Sequence, residues 1–290
     1  MIDANETPLT ISWLKSREKY DRRARRLEVL DTFLAWMGSA HISVADLGCG
    51  TGSNALFLSE TLNTRHAEFH LVEREAVLLE EARRRIKKKN AGCYEEHNDV
   101  VYLKKGHFQH AFYFYNELVS EFMRRKDDLQ VACASALFDL FTEDEFNDLL
   151  KGLKSRHMAL YGVLNYCGTE FSPACGMDEK FITLYEKHMS RLLRKGRPMG
   201  KRTMTRIQNA LNPEKDWHLT VSNSNWILNV EDSKFISQNL DFYEKALPEL
   251  LVNQQERIEF NEWMVEKRRM IAGRKLEMRV YHQDFFARCL

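Results

Sequence analysis

The chain has 290 residues, 44% of them hydrophobic, and its 43 lysines and arginines nearly balance its 42 aspartates and glutamates. This composition can bury a full-sized core, which excludes a disordered protein, and the near-zero net charge creates no overall field toward nucleic acid or membranes. With only 13 glycines and 5 prolines, long regular elements should outnumber turns, so we expect a helix-rich α/β protein.

Targeting signals and metal-binding patterns are not visible in the sequence. No apolar run approaches the roughly 20 residues that a membrane-spanning helix needs, and the N-terminus lacks the pattern of a signal peptide. We therefore expect a cytoplasmic protein. Its six cysteines form no CxxC pair and no spacing typical of zinc sites, so we predict reduced thiols and no bound metal.

The predicted elements begin with a helical segment over residues 10–38, followed by alternating strands and helices as a parallel sheet requires. Predicted strands lie at 42–47, 68–73, 100–104, 129–134, 158–164, 218–221 and 278–286. Helices are predicted at 75–89, after residue 142, near 178–193, and around 232–251 and 255–271. Thr142 and Glu145 have the spacing of a capping box, which predicts a helix directly after the fourth strand.

The most informative segment is residues 44–54, VADLGCGTGSN, a buried strand that runs through three glycines into a helix. Glycines allow a sharp turn and close approach of a ligand, and the helix N-terminus offers free N–H groups, so a nucleotide-like ligand is predicted there. Glu73 ends the next predicted strand. Its distance in sequence from the glycines is near the one at which a carboxylate accepts ribose hydroxyls. Ser53 replaces the third glycine of a dinucleotide fingerprint and no Walker lysine follows, which disfavours dinucleotides and nucleoside triphosphates.

Residues Asp46 to Gly52 resemble motif I of the class I S-adenosylmethionine-dependent methyltransferases, and Glu73 matches the ribose-binding acid of that family. The resemblance implies a Rossmann-like, seven-stranded, mostly parallel sheet, with S-adenosylmethionine as cofactor and S-adenosylhomocysteine as product. The implied cofactor contacts are Asp46, Gly48, Cys49, Gly50, Thr51, Asn54, Glu73, Arg74 and Ser135, with His107 and Phe108 after the third strand, where relatives often have an acidic residue.

Three residues are candidates for contact with the methyl acceptor. Asp139 lies at the family's motif IV, which faces the transferred methyl group, and could orient the acceptor, accept its proton, or help to cap the following helix. The motif is not the Asn/Asp-Pro-Pro-Tyr type, which disfavours amino methylation of DNA bases. Tyr166 follows the fifth predicted strand and should face the ligand crevice. His188 could be a general base or an ordinary half-buried histidine.

The first helix carries Trp13, Arg17, Asp21 and Arg25 at intervals of four residues, on one slowly drifting face. They form either a surface ladder of ion pairs or the inner face of a cover over the pocket. In the second case Arg17 would offer its guanidinium to the carboxylate of the cofactor. Trp13, Arg17, Tyr166 and His282 also belong to stretches that resemble a group of small bacterial class I methyltransferases.

A basic stretch after residue 190 has three possible roles, namely an anion-recognising lid, a strip for RNA backbone, or a solvated surface. The pI near 7.7 shows no clearly basic domain, which disfavours RNA. Its members are Arg191, Arg194, Lys195, Arg197, Lys201, Arg202 and Arg206.

The sequence thus predicts four segments: an N-terminal helical cover (1–40), a cofactor-binding Rossmann-like core (41–165), a helical substrate-lid insertion after strand five (166–215), and the C-terminal part of the core (216–290). The predicted activity is methyl transfer from S-adenosylmethionine to an oxygen, nitrogen or carbon of a small molecule, which could be anionic. Nucleic acid and membranes are not expected partners. The alternatives are an RNA-modifying methyltransferase and a non-catalytic cofactor-binding scaffold.

Overall fold

The computed structural model describes residues 10–25, 27–38, 41–62, 66–105, 108–193, 195–212, 214 and 216–290. Its helices are α1 (Ile11–Ala24), α2 (Leu27–Met37), α3 (Ser53–Thr61), α4 (Ala76–Lys89), α5 (Val119–Arg125), α6 (Glu143–Ser155), α7 (Asp178–Met189), α8 (Thr203–Ala210), α9 (Ser233–Ala246) and α10 (Gln254–Ala272). Its strands are β1 (Ile42–Leu47), β2 (His66–Val72), β3 (Tyr94–His97), β4 (Val100–Lys105), β5 (Phe108–Tyr115), β6 (Val131–Ser135), β7 (Ala159–Ser172), β8 (Trp217–Asn223), β9 (Trp226–Leu228) and β10 (Glu277–Cys289).

One mixed sheet organises the described part of the chain, with strand order β3-β4-β5-β2-β1-β6-β7-β10-β8 and β9 paired to β10. The five central strands from β5 to β7 are parallel, whereas both margins are antiparallel. The predicted α/β Rossmann-like fold is confirmed, with ten strands in the sheet rather than seven. None of the described helices combines the length and apolar character needed to cross a bilayer.

Strand β1 lies at the centre of the sheet, and all six of its residues are buried. Helices cover both faces, because a central parallel strand has no solvent-facing side. Val44 belongs to the core on the face of α2, α3 and α9, whereas Ala45 and Leu47 belong to the core on the face of α5, α6 and α8. This double burial fixes the carboxyl end of β1, from which the glycine loop departs.

The third strand of the parallel core was assigned to the wrong segment. Residues 100–104, predicted for this place, lie in β4 and pair antiparallel with β5. The strand that runs parallel beside β2 is Phe108–Tyr115. Both segments alternate in a way that suits a strand, and only the pairing partner distinguishes them, which is a non-local choice.

Two other boundaries also differ from the prediction. The helix expected over 10–38 is interrupted, because Arg25 leaves helical geometry with φ −55° and ψ 132°. The Arg25 guanidinium lies 4.1 Å from the centre of the Phe57 ring. After this break, α2 turns to cover the sheet. The fifth strand, expected to end at 164, continues to Ser172 because it pairs with β10 along its length. The predicted insertion boundary at 166 therefore falls inside a strand.

The capping box of α6 is present as predicted. The Glu145 N–H donates to Thr142 Oγ1 at 3.1 Å, and the Thr142 N–H donates to the Glu145 carboxylate at 2.8 Å. We expect Thr142→Ala to lower the free energy of unfolding by about 1 kcal/mol, since the Glu145 N–H loses its partner. Urea unfolding followed by circular dichroism measures this. Lys151→Ala, at a 78% exposed position of the same helix, is the control, and an equal loss in both variants would contradict the assignment.

Candidate functional site

The loop after β1 turns through three glycines with left-handed backbones, Gly48 (φ 59°), Gly50 (φ 53°) and Gly52 (φ 75°). A side chain at Gly48 would place its Cβ 2.7 Å from Leu137 Cδ1, so any other residue there would have to displace the Leu137 side chain and adopt a left-handed backbone. Gly52 caps α3 without a side-chain hydrogen bond. The loop therefore presents bare backbone at a helix N-terminus, as a nucleotide or another ligand with hydrogen-bond acceptors requires.

Asp46 ties the start of this loop to α3. Its carboxylate accepts from Asn54 Nδ2 at 2.7 Å and from the Ala55 N–H at 3.1 Å. Burial raises the pKa of Asp46 to about 6, against the opposing effect of these hydrogen bonds and of the Arg25 charge. At pH 7 the group is thus mostly ionised, and it places a negative charge beneath the glycines.

Glu73, directly after β2, holds the loop from the other side. One carboxylate oxygen accepts from the Gly50 N–H at 3.0 Å and the other from the Glu75 N–H at 3.0 Å. The group is 8% exposed. Each oxygen retains a further lone pair, so the same carboxylate can accept the hydroxyls of a ribose lying beside the loop.

Helix α1 covers this loop. A Cβ added at Gly50 would lie 3.3 Å from Leu14 Cδ1. Glu18 forms an ion pair with Arg85, and the same Arg85 donates to the Thr51 carbonyl and hydroxyl oxygens, both at 2.8 Å. The predicted cover is thereby placed on the loop itself.

The inner side of α1 joins the cover to the opposite margin of the crevice. Arg17 Nε donates to Asp21 at 2.9 Å, and the Arg17 guanidinium lies 5.0 Å from the centre of the Trp226 ring. The Trp226 indole N–H donates to the other Asp21 oxygen at 3.1 Å. Trp13 stacks on Phe235 of α9 with ring centres 5.2 Å apart. The residues at four-residue intervals on α1 therefore form a buried contact face and not a solvated ladder of ion pairs.

Asp139 lies in the short turn after β6, next to Leu137, which abuts Gly48. Its Oδ1 is buried and has no hydrogen-bond partner among the residues that the structure describes. Burial raises the pKa of Asp139, and the positive charge of Arg17 opposes that rise. A buried carboxylate oxygen without a partner costs free energy, so it marks a position where a ligand or water can donate a hydrogen bond.

Tyr166 lies within β7 and not after it, and it is 8% exposed. Its hydroxyl lies 3.1 Å from the Thr169 hydroxyl and 3.5 Å from Glu186. Burial raises the pKa of Tyr166 well above the ordinary value. The side chain therefore stays neutral, and its hydroxyl already has partners.

His188 lies near the end of α7, where its contacts are structural. Nε2 lies 2.7 Å from Glu249, and Nδ1 lies 3.2 Å from an Arg191 nitrogen. Burial lowers the pKa of His188, and the charge of Arg191 adds to this, whereas Glu249 acts in the opposite direction. The contacts of this histidine connect α7 to the turn after α9 and do not reach Asp139 or the glycine loop.

The other predicted cofactor residues fall into two groups. Cys49, Thr51 and Asn54 are buried in or beside the loop, Ser135 ends β6, and Arg74 lies 3.5 Å from Glu75. His107 lies outside the described residues, and Phe108 opens β5 without a described side chain.

The assignment of His107 and Phe108 to the position after the third parallel strand was wrong, because that strand ends at Tyr115. The segment that follows it begins with Asn116, whose amide donates to the carbonyl oxygens of Glu73 and Arg74 at 2.9 and 2.8 Å. Glu117 comes next, and its carboxylate forms an ion pair with Arg125. Recognising the aromatic strand Phe108–Tyr115 would have revealed this position.

His282 of β10 was missed as a candidate, although its stretch of sequence was noted. It is 4% exposed, its ring centre lies 4.8 Å from that of Trp226, and its Nδ1 has no partner among the described residues. Burial lowers the pKa of His282 to about 3, and the charge of Arg17 contributes. The imidazole is therefore neutral at physiological pH.

A cavity of about 440 Å³ opens beside this region, between α8, the end of β8 and the facing stretches of β7 and β10. Its wall includes Cys167, Lys201, Thr205, Asn225 and His282. No sequence signal predicted it, because its walls come from four separate segments. Among the described residues, no group of three or more His, Cys, Asp or Glu side chains could hold a metal ion.

The basic stretch after α7 is largely neutralised by carboxylates. Lys195 lies 3.5 Å from Glu145, Lys201 lies 3.0 Å from Glu186, Arg191 lies 3.7 Å from Glu249, and Arg206 lies 3.3 Å from Glu143. Arg194 lies outside the described residues. Paired cations add little attraction for a nucleic-acid backbone, so the structure gives no support to an RNA-binding strip.

Comparison with known proteins gives a family for the core. Residues 44–137 match the family described as "Methyltransferase domain", a range that runs from β1 to the residue that abuts Gly48. A search of curated protein sequences gave no match.

Several solved structures are similar to this chain at low sequence identity. Phosphoethanolamine N-methyltransferase 2 of Haemonchus contortus, in complex with S-adenosyl-L-methionine, is 11% identical with a TM-score of 0.46; the match covers 98% of this chain and 58% of that one. The plantazolicin methyltransferase BpumL is 14% identical with a TM-score of 0.42, and the match covers 96% of this chain and 92% of that one. YjhP from E. coli is 10% identical with a TM-score of 0.46, and the match covers 95% of this chain and 97% of that one. The chain thus spans less than two thirds of the length of the first of these proteins.

The buried Asp46 carboxyl predicts a pH dependence of stability. Because the pKa in the folded protein, about 6, exceeds the ordinary 3.8, protonation favours folding, and this contribution is lost as the pH rises from 4 through 6. Asn cannot titrate, so we expect the free energy of unfolding of Asp46→Asn to rise by up to about 3 kcal/mol relative to that of the wild type between pH 4 and 7. Urea unfolding at both pH values measures this. Asp127→Asn, at an 80% exposed position, corrects for the change in total charge, and parallel profiles of Asp46→Asn and wild type would contradict the prediction.

Proposed function

We propose that this chain, a class I S-adenosylmethionine-dependent methyltransferase, transfers the methyl group of S-adenosylmethionine to a nucleophilic oxygen, nitrogen or carbon of a small molecule in the cytoplasm. The observation that supports it most is the glycine loop at the carboxyl end of β1, held by Asp46 on one side and Glu73 on the other. When bound, the cofactor supplies an electrophilic methyl group on a sulfonium.

The residues of the site suit such a cofactor. Asn54 Oδ1 is a buried acceptor without a partner in the described residues, and an acceptor of this kind complements the ammonium and sulfonium groups. Glu73 would accept the ribose hydroxyls, and the Asn116–Glu117 segment would line the adenine. Arg17, with its guanidinium between α1 and Trp226, would hold the carboxylate of the cofactor.

Methyl transfer depends on alignment of the reactants and exclusion of water more than on acid–base catalysis. A bond forms between the acceptor nucleophile and the methyl carbon while the sulfur–carbon bond breaks, its electron pair stays on sulfur, and the acceptor proton is released. Asp139 would orient the acceptor and receive that proton. Because burial raises its pKa, it is a better proton acceptor than a solvated aspartate. Tyr166 and His188, whose polar groups already have partners, would not react.

Binding of S-adenosylhomocysteine tests the cofactor part of the proposal. We expect calorimetry to show binding to the wild type and a 10- to 100-fold weaker affinity for Glu73→Ala, since hydrogen bonds to a charged group contribute roughly 1.5 to 3 kcal/mol each. Glu75→Ala, two residues away, is the matched control and should bind as the wild type does. Equal affinities of wild type and Glu73→Ala, with both proteins folded by circular dichroism, would overturn the assignment of Glu73.

Transfer itself is tested with labelled methyl donor and fractionated cell extract. We expect label in the small-molecule fraction, reduced at least about 100-fold by Asp139→Asn, while that variant still binds S-adenosylhomocysteine. Label in RNA, with binding that falls steeply as salt rises, would support an RNA-modifying enzyme. Cofactor binding without label in any fraction would support a non-catalytic scaffold.

A further inference from the structure

The cavity of about 440 Å³ beside β10 falls in the range of about 300 to 1,000 Å³ typical of small-molecule sites. It lies at the edge of the sheet where the parallel strands end. One wall is α8, and the others are the end of β8 and the facing stretches of β7 and β10.

The cavity lies on the side of the sheet to which the methyl group would be delivered. Cys167, in its wall, follows Tyr166 in β7, and β7 is the neighbour of β6, whose carboxyl end leads to Asp139. Burial raises the pKa of Cys167 to about 11, and the negative charge of Asp139 contributes to this rise, so the two side chains are electrostatic neighbours. Adjacent strands are about 4.8 Å apart, which places β7 about 10 Å from β1 across β6.

The chemistry of the lining is selective. Of the ten residues that line the cavity, four carry side-chain amides and none carries a carboxylate. Lys201 is the single formal charge of the lining, and Glu186 lies 3.0 Å from its ammonium. His282 adds a neutral ring, because burial lowers its pKa to about 3. The lining therefore offers uncharged donors and acceptors in number, and its one cation is already paired.

The polar groups of the lining are only partly engaged by the protein. The Asn225 carbonyl oxygen accepts from the His282 N–H at 3.0 Å, and Gln283 donates to Asn223 at 3.1 Å. These bonds orient the amides of Asn225 and Gln283, and each amide has further hydrogen-bonding capacity. Gln208 and Thr205 present their polar groups from the facing helix.

We propose that this cavity is the acceptor site and that the acceptor is a small uncharged polar molecule, bound through amide or hydroxyl groups. This inference rests on the proposed methyltransferase function, which it extends to the class of substrate. No residue of the lining offers an unpaired charge, because the Lys201 ammonium is paired with Glu186. Ionised groups of either sign would therefore lose their hydration in the cavity without gaining a partner.

Three benzene derivatives that differ in one substituent, benzamide, benzoate and benzylamine, test the selectivity. Their binding is observed by saturation-transfer NMR in the presence of S-adenosylhomocysteine. We expect saturation transfer to benzamide and at least fivefold less to benzoate and to benzylamine. Thr205→Trp, which would fill the cavity from the exposed face of α8, should abolish the benzamide signal. Asn209→Trp, on the same helix outside the lining, should preserve it. Lys201→Gln should leave benzamide bound.

Equal signals from the three probes, no signal from any of them, or signals that survive Thr205→Trp would overturn the proposal. Calorimetry of the same variants with S-adenosylhomocysteine separates this failure from failure of the proposed function. If Thr205→Trp and wild type bind S-adenosylhomocysteine equally while the probes bind neither, the acceptor assignment is wrong and the cofactor assignment stands. If the wild type does not bind S-adenosylhomocysteine, the proposed function itself is wrong.

Discussion

Two carboxylates hold one glycine loop, and the rest of the site depends on this arrangement. Asp46 binds the first turn of α3 and Glu73 binds the Gly50 N–H, so the backbone between them is fixed from both sides. Both groups are buried, where hydrogen bonds to a charged group are stronger than in water. The loop is therefore preorganised, and a ligand does not have to order it.

The sheet supplies the geometry for this arrangement. Since β1 and β2 are parallel neighbours in register from Ile42↔Ala67 to Leu47↔Val72, their carboxyl ends emerge side by side, and Glu73 meets Gly50 without any long connection. β6 and β7 extend the same edge toward Asp139 and the cavity. Cofactor side and acceptor side are thus successive positions along one row of strand ends, as expected for open α/β sheets.

The sequence contained the glycine loop and the two carboxylates that hold it almost completely, and the proposed acceptor side only in part. Glycines, a following helix and an acid at the end of the next strand are local signals with a direct physical meaning, so the loop, Asp46 and Glu73 could be predicted. The third parallel strand could not be chosen by pattern, because Val100–Lys105 and Phe108–Tyr115 both suit a strand and differ only in their partners. The cavity combines residues from positions 167 to 283, and such convergence is a property of the folded chain.

Helix α1 is held in place by two kinds of contact. Its attachments to the loop side are ion pairs, Lys15–Glu81, Glu18–Arg85 and Arg22–Glu60, whereas its attachment to α9 is the stacking of Trp13 on Phe235. Exposed ion pairs are weak and are screened by electrolyte, but aromatic packing is not. High ionic strength should therefore loosen the edge of the helix at Arg22 and Glu60 before the edge that its aromatic side chains hold.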